Sequence, residues 1–394
     1  MKGNVLIGQS GGPTSVINAS LCGVVQACLK QAGGGKVYGM QYGIQGFMEE
    51  KLLDLGVQDA ARIEALKRAP GSALGSCRHK VREEDFPRIL EVLKKFQIRY
   101  FFLIGGNDTM DTIHRVEAHC REKGYELTGI GIPKTVDNDL FGTDHTPGFA
   151  SAARYVAMSV LQAGVLARDM KRVDQFVVFQ TVGREAGWLP AASALAKRSE
   201  DEAPHVILMP ERPFERDRFL ERVKEVYDQC GWVSIVCGEG IVDKHGRPVS
   251  ASETTDKFAN VEFGAMGGAS AAMQLHRLVS QTFGWRGEFQ VTESLQMCAA
   301  DRASEQDVVE AYACGARAVE LAASGRSGVM VSLVRESNDP YKWSLGEAAL
   351  SDVAVRAKPM PAEFLSTDGM FVSEACLAYL KPLVGELPQY TRLY

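Results

Sequence analysis

Two carboxylates stand two residues apart in Pro133-Lys134-Thr135-Val136-Asp137-Asn138-Asp139, with a lysine and a threonine just upstream. This set suits phosphoryl transfer: a carboxylate can take a hydroxyl proton, an ammonium can steady the moving phosphoryl group, and a hydroxyl can orient it. A plain polar turn would use some of the same residue types. Two further loops favour chemistry. Gly105-Gly106-Asn107-Asp108-Thr109 pairs glycines that admit a phosphate chain against the backbone with an oxygen-bearing side chain suited to Mg2+. The same residues could also serve only to cap a helix. Gly8-Gln9-Ser10-Gly11-Gly12-Pro13-Thr14-Ser15 leads into a helix whose first turns hold Val16, Ile17 and Asn18. Such a turn can present backbone N–H groups to an anion, or can be an ordinary strand-to-helix corner.

The elements that must position these loops are legible as alternating patterns. Short apolar runs at Val5-Leu6-Ile7, 100–104, 130–132, 176–179, 206–208 and 234–236 fit buried strands of a parallel sheet. Helical stretches are expected over 16–30, 84–96, 111–123, 149–167, 216–229 and 307–324, and 257–287 reads as mostly helical with glycine breaks. Strand-helix alternation predicts a doubly wound α/β architecture, in which ligands sit beyond the carboxyl ends of the strands.

At 394 residues the chain should form two domains. Charged residues at 24% and hydrophobic ones at 45% are ordinary for a globular protein and exclude disordered and fibrous classes. The net charge of −5 disfavours nucleic acid as a partner, so a polyanionic ligand must be held by local cations. Nine scattered cysteines without metal-ligand spacing suggest reduced thiols and a cytoplasmic setting. No apolar run of the roughly 20 residues needed to span a bilayer is expected, and no membrane partner. A dinucleotide-binding dehydrogenase fits poorly, since no GxGxxG opens the first helix.

In order along nearly the whole chain, Ser10-Gly11-Gly12, Gly105-Gly106-Asn107-Asp108, the loop 133–139, Gly183-Arg184-Glu185-Ala186-Gly187-Trp188 and Gly238-Glu239-Gly240 resemble the motifs of the phosphofructokinase family. Motif spacing and the tail segment Asp368-Gly369-Met370-Phe371-Val372 resemble most its bacterial pyrophosphate-dependent fructose 6-phosphate 1-phosphotransferases. The resemblance implies two doubly wound α/β lobes with the active site between them: residues 1–148 plus 306–357 for diphosphate and Mg2+, and 149–305 plus 358–394 for the sugar phosphate. Pro359, Pro361 and Pro388 suit a crossing tail without a core element. The implied reaction is reversible transfer from Mg-diphosphate to the 1-hydroxyl of fructose 6-phosphate, giving fructose 1,6-bisphosphate and phosphate, by a homodimer or homotetramer.

By the same resemblance Asp137 accepts the hydroxyl proton, with Thr135 and Asp139 beside it, while Gly11, Gly12, Gly106 and Arg78 hold the donor. Asn107 stands where the family usually has its Mg2+-associated aspartate. ATP-using relatives have glycine where this chain has Asp108 and Lys134; a carboxylate at 108 would crowd and repel a nucleotide's α-phosphate, and Lys134 would supply charge to a leaving group without an adenosine handle. The sugar side would comprise Val182, Gly183, Arg184, Glu239, Ser294, Met297, Tyr341 and Lys342. Gln175 and Met297 replace expected cations, so another sugar phosphate such as sedoheptulose 7-phosphate, or a non-catalytic sensor of sugar phosphate or diphosphate, stands as an alternative.

Overall fold

The computed structural model describes residues 1–31, 35–250 and 270–393. They form two compact units, Met1–Ser151 with Met297–Lys358, and Ala152–Gln296 with Pro359–Tyr394. The chain returns to the first unit at Met297, ahead of position 306, because the segment between them is already tied there: Ser304 N–H donates to Ser151 Oγ at 3.1 Å.

The strands in chain order are β1 (Asn4–Gln9), β2 (Val37–Met40), β3 (Leu52–Asp54), β4 (Ile98–Gly105), β5 (Thr128–Pro133), β6 (Phe176–Thr181), β7 (Val206–Leu208), β8 (Val233–Gly238), β9 (Gly287–Val291), β10 (Val329–Asn338) and β11 (Tyr341–Ala349). Among the described residues the first unit's sheet has the order β11-β10-β5-β4-β1-β2-β3. Its five inner strands run parallel, but β3 pairs antiparallel with β2 and β11 with β10. Both edges therefore depart from the purely parallel expectation. The inner strands read as unbroken apolar runs because side chains on both faces are covered. Val5, Ile7, Phe102 and Ile104 pack on one face with Leu21, Val25 and Val319, while Leu6, Phe101 and Leu103 pack on the other with Met110, Ile113 and Val353.

The second unit's sheet, β7-β8-β6-β9, is all parallel. Phe176, Val178 and Ile235 pack with Phe219 and Val223 of the helix Arg216–Cys230 and with Leu275 and Val279 of the helix Ala271–Phe283. Of the helical stretch expected over 257–287, the positions up to 269 lie outside the described residues, and the end becomes β9. The tail does contain a core element: the helix Glu374–Val384 buries Cys376, Leu380 and Leu383 and tolerates Pro382 near its end, while Pro359, Pro361 and Pro388 lie outside it. The helix Phe149–Asp169 is, by length and composition alone, long and apolar enough to cross a membrane, contrary to expectation. Its most apolar window is 61% buried within the protein, the signature a core helix also gives.

Two helices meet backbone to backbone in the first unit. A Cβ on Gly23 of the helix Ile17–Lys30 would lie 2.1 Å from the Tyr312 carbonyl oxygen, and one on Gly315 of the helix Glu305–Ala323 would lie 2.1 Å from that of Ser20. Alanine ordinarily favours a helix over glycine by about 1 kcal/mol. Here the overlap with rigid backbone reverses the sign, and Gly315→Ala should lower stability by about 1–3 kcal/mol. Urea unfolding checks this; a more stable variant would contradict the close packing.

Candidate active site

The three glycine- and aspartate-bearing loops of the first unit leave the sheet side by side. Parallel pairing aligns Gln9 with Ile104, Ile104 with Ile132, and Gly105 with Pro133, so the chain exits β1, β4 and β5 at nearly one level. Neighbouring strands lie about 4.8 Å apart, which keeps the three exits within reach of one small anion. Because β2 lies on one side of β1 and β4 on the other, this is also where the strand order reverses, the place where open α/β sheets bind their ligands. Two bonds continue the ladder into the loops, Ser10 N–H to Ile104 O at 3.0 Å and Lys134 N–H to Gly105 O at 3.1 Å.

Lys134 lies across the glycine pair. Its Nζ donates to Gly12 O at 2.8 Å, and a Cβ on Gly11, which has φ +75°, would meet that nitrogen at 3.2 Å. The side chain is only 4% exposed. Burial pushes its pKa down to about 8, with Asp137 and Asp139 pulling the other way. Thr135 Oγ1 accepts from Asp137 N–H at 3.1 Å and lies 3.5 Å from Asp137 Oδ2, fixing that carboxylate beside the ammonium. Between the two aspartates, Asn138 takes a left-handed conformation at φ +56°, which asparagine tolerates better than most residues.

Asn107 opens the helix Asn107–Glu122, which starts ahead of the expected position 111 because Gly106 already takes the cap position. Its Oδ1 is buried and has no hydrogen-bond partner among the described residues. A buried amide oxygen in that state is unfavourable unless a ligand completes it. Mg2+ bound chiefly by phosphate oxygens and water asks for only one or two side-chain oxygens, so the orphaned oxygen fits such a cation, although no cluster of three or more His, Cys, Asp or Glu is found among the described residues. Asp108, next along, is 76% exposed and lies 3.3 Å from Lys80 Nζ.

Arg78 is exposed and makes no ion pair among the described residues. The segment that carries it is fastened by residues that no motif marks. Ser76 Oγ donates to Gly11 O at 2.6 Å. Buried Gln9 donates to Asn18 Oδ1 at 2.8 Å and accepts from Leu74 N–H at 2.9 Å, while Asn18 accepts from Ala73 N–H at 2.9 Å and donates to Ala69 O at 3.0 Å. Gln9 and Asn18 sit inside segments that look apolar or helical, and their partners lie 51–65 residues away, so sequence offers no local signal for them.

In the second unit, Val182-Gly183-Arg184 follows β6 and Glu239 follows its neighbour β8, so the two loops also emerge together. Arg184 Nε is 3.9 Å from Glu239 Oε1. A Cβ on Gly240 would lie 1.7 Å from the Arg184 carbonyl oxygen, so only glycine lets the loops approach this far. Gly187 N–H donates to Glu211 Oε1 at 2.7 Å, holding the Gly183 to Trp188 turn from behind. Ser294 is exposed in the turn after β9. Met297 belongs to the first unit, where its sulfur would meet a Cβ on Gly12 of the donor loop at 3.6 Å. Tyr341 also belongs to the first unit: its hydroxyl donates to buried Glu310 at 2.7 Å, and Glu310 in turn meets His145 Nε2 at 2.7 Å. Lys342 is exposed on the β10–β11 hairpin of the first unit.

A sequence model of the family described as phosphofructokinase matches residues 4–322. Among similar proteins, the pyrophosphate–fructose 6-phosphate 1-phosphotransferase of Halomonas elongata is 40% identical over 97% of this chain and 91% of its own length. The crystal structure of a pyrophosphate-dependent phosphofructokinase from Marinobacter aquaeolei superposes with a TM-score of 0.88 at 39% identity, covering 99% of this chain and 94% of that one. A sulfofructose kinase of Alkalicoccus urumqiensis is 32% identical over 89% of this chain and 88% of its own length. The chain belongs to the phosphofructokinase family.

The geometry around Lys134 generates its own test. Burial disfavours the charged amine, so NMR of the labelled lysine side chain without ligand should give a midpoint near pH 8. A midpoint at 10 or above would mean that the ammonium is solvated and not laid across the glycine pair.

Proposed function

We propose that the protein is a pyrophosphate-dependent phosphofructokinase that reversibly transfers a phosphoryl group from diphosphate to the 1-hydroxyl of fructose 6-phosphate. The observation that carries this is the buried Lys134 ammonium, bonded to Gly12 O and set beside Asp137, whose carboxylate is steadied by Thr135. Asp137 takes the proton of the 1-hydroxyl as that oxygen bonds to the terminal phosphorus. The bridging P–O bond breaks, and the second phosphate departs with the bond's electron pair. Lys134 and Arg78 offset the charge that gathers on the leaving phosphate. Gly11, Gly12 and Gly106 leave room for the diphosphate against the backbone. Asn107 would hold Mg2+, which when bound neutralises part of the diphosphate charge. Arg184 and Glu239 orient the sugar, with Gly183 giving the turn its freedom. The nine unpaired cysteine thiols support a cytoplasmic setting, and the family resemblance supports a homodimer or homotetramer.

Donor preference follows from Asp108. Its exposed carboxylate at the start of a helix beside Gly105-Gly106 repels a third phosphate and leaves space for two, while Lys80 keeps the local charge from repelling the diphosphate itself. Purified protein with Mg2+ should form fructose 1,6-bisphosphate from diphosphate and not from ATP, and Asp137→Ala should lower kcat by about 10²–10⁴-fold. Turnover with ATP alone would overturn the donor assignment. Unchanged turnover in Asp137→Ala would overturn the base, and tight ligand binding without turnover in the wild type would make the protein a sensor.

A second acceptor is supported by a specific observation. Where the resemblance leads one to expect a cation for the 6-phosphate, the Gln175 amide instead accepts from Arg286 N–H at 3.0 Å and donates to Val173 O at 3.2 Å. By the family resemblance that cation would reach the 6-phosphate of a neighbouring subunit; each missing charge-assisted hydrogen bond there weakens phosphate binding by about 1.5–3 kcal/mol, and the similarity to a protein named for a sulfonated fructose supports variation at this end of the sugar. Initial rates with fructose 6-phosphate, sedoheptulose 7-phosphate and 6-sulfofructose at equal concentration decide between them. Fructose 6-phosphate should lead, and a rate at least tenfold below either rival would move the assignment to that sugar.

A further inference from the structure

The loop that carries Asp137 and Asp139 is held from a residue 220 positions along the chain. Lys358 is half-buried, and its Nζ donates to Asn138 Oδ1 at 3.1 Å, Thr143 O at 3.3 Å and Asp144 O at 2.5 Å. Its own backbone N–H donates to Asp139 O at 2.7 Å, and the adjoining Ala357 pairs with Leu140. One side chain thus ties the start of the segment 138–144 to its end, while the backbone at 357–358 ties Asp139 and Leu140 just after that start. The tie falls on Asn138, the residue in left-handed conformation between the two aspartates, whose Oδ1 also accepts from Thr146 N–H at 3.1 Å.

We propose that Lys358 is a positioning residue for phosphoryl transfer, which sets the direction of Asp137 by locking Asn138 from behind. This deepens the function proposed above and rests on it. Rigidity is its physical basis. An asparagine at positive φ is uncommon and is retained where surroundings over-determine it. Misplacing a reacting group by about 1 Å can cost about 10²-fold in rate. A buried ammonium is itself unfavourable without partners, and burial pushes Lys358 down to about 7 against the pull of Asp144 and Asp139, so a solely structural role would be met more simply by an apolar side chain. The rest of the segment is already anchored independently: His145 is bonded to Asp144 at 2.8 Å and to Glu310 at 2.7 Å, and Gly148 and Ser151 N–H groups both donate to Asp307 at 2.9 Å. Removing the ammonium should therefore loosen 138–144 without unfolding the unit.

The test compares wild type, Lys358→Met, Lys358→Arg and Asn138→Gly, the last keeping the left-handed backbone while removing the acceptor. Lys358→Met should lower kcat with diphosphate about 10- to 100-fold while the KM for diphosphate moves less than about threefold. Lys358→Arg should restore part of the rate, and Asn138→Gly should reproduce the Lys358→Met loss with no further loss in the double variant. Hydrogen–deuterium exchange should quicken in 135–148 of Lys358→Met and stay unchanged elsewhere. A kcat within twofold of wild type in both Lys358→Met and Asn138→Gly, or losses that multiply in the double variant, would overturn the proposal. Should Lys358→Met not fold, Asn138→Gly and Lys358→Arg decide it by the same two readouts. A wild type without diphosphate turnover would sink the function proposed above; the exchange comparison would still judge the lock, faster exchange in 135–148 supporting it and unchanged exchange refuting it.

Discussion

The parallel register of β1, β4 and β5 is the constraint on which the rest of the first unit depends. A slip of one residue would carry a loop about 3.3 Å along the strand and turn its side chains to the opposite face. Both faces are apolar here, so polarity alone does not oppose a slip. What does is steric fit at glycines within the strands: a Cβ on Gly131 would lie 2.2 Å from Met110 Sδ, and one on Gly8 would lie 2.5 Å from Met40 Sδ. Large neighbours lean into positions that only glycine leaves open, and a shifted strand would present a side chain there. The level exit of three loops is thus a consequence of packing within the sheet.

Charge follows from that placement. The protein is net acidic, yet its proposed donor is a polyanion, so cations must be concentrated where the loops converge. Lys134 is buried there beside two aspartates, with its charge disfavoured by desolvation and its nearest bond made to a neutral carbonyl. Such a group gains more from an incoming anion than a solvated lysine would, because the anion supplies partners that the protein leaves incomplete. Asn107 Oδ1, buried and without a partner among the described residues, is incomplete in the complementary sense, open to a cation or a donor.

Much of this is legible in the sequence because it is local. Apolar runs mark β1, β4, β5, β6, β7 and β8, and the loops that follow them carry their chemistry in adjacent residues such as Lys134, Thr135 and Asp137. Other parts depend on partners far along the chain and leave no pattern. The β10–β11 hairpin alternates buried and exposed residues over only part of its length, and β2 and β3 are short. Gln9 and Asn18 look like strand and helix residues until the segment 69–74 is laid against them. Tyr341 and Lys342 are candidates for the sugar by residue type, and nothing in the sequence shows that the β10–β11 hairpin brings the Tyr341 hydroxyl to the buried Glu310. Asn138 stands in the sequence as one letter of a motif, whereas its bond to Lys358 spans 220 positions.

Gln175 shows how a missing charge can be absorbed by the fold. It precedes β6, while Arg184 follows it, and six strand residues separate their ends by about 20 Å. Gln175 therefore belongs to the opposite end of the second unit's sheet from the Arg184–Glu239 loops. There it completes the edge: Gln175 N–H donates to Arg286 O at 2.8 Å, its carbonyl accepts from Val233 N–H at 2.9 Å, and its amide bonds Arg286 N–H and Val173 O. Arg286 in turn pairs with Asp174 at 2.9 Å. A lysine or arginine at 175 could keep the backbone bonds but would lose the amide acceptor that receives Arg286 N–H. The exchange of a cation for an amide is thus matched by hydrogen bonds within the sheet, which keep this end of β6 tied to its neighbours.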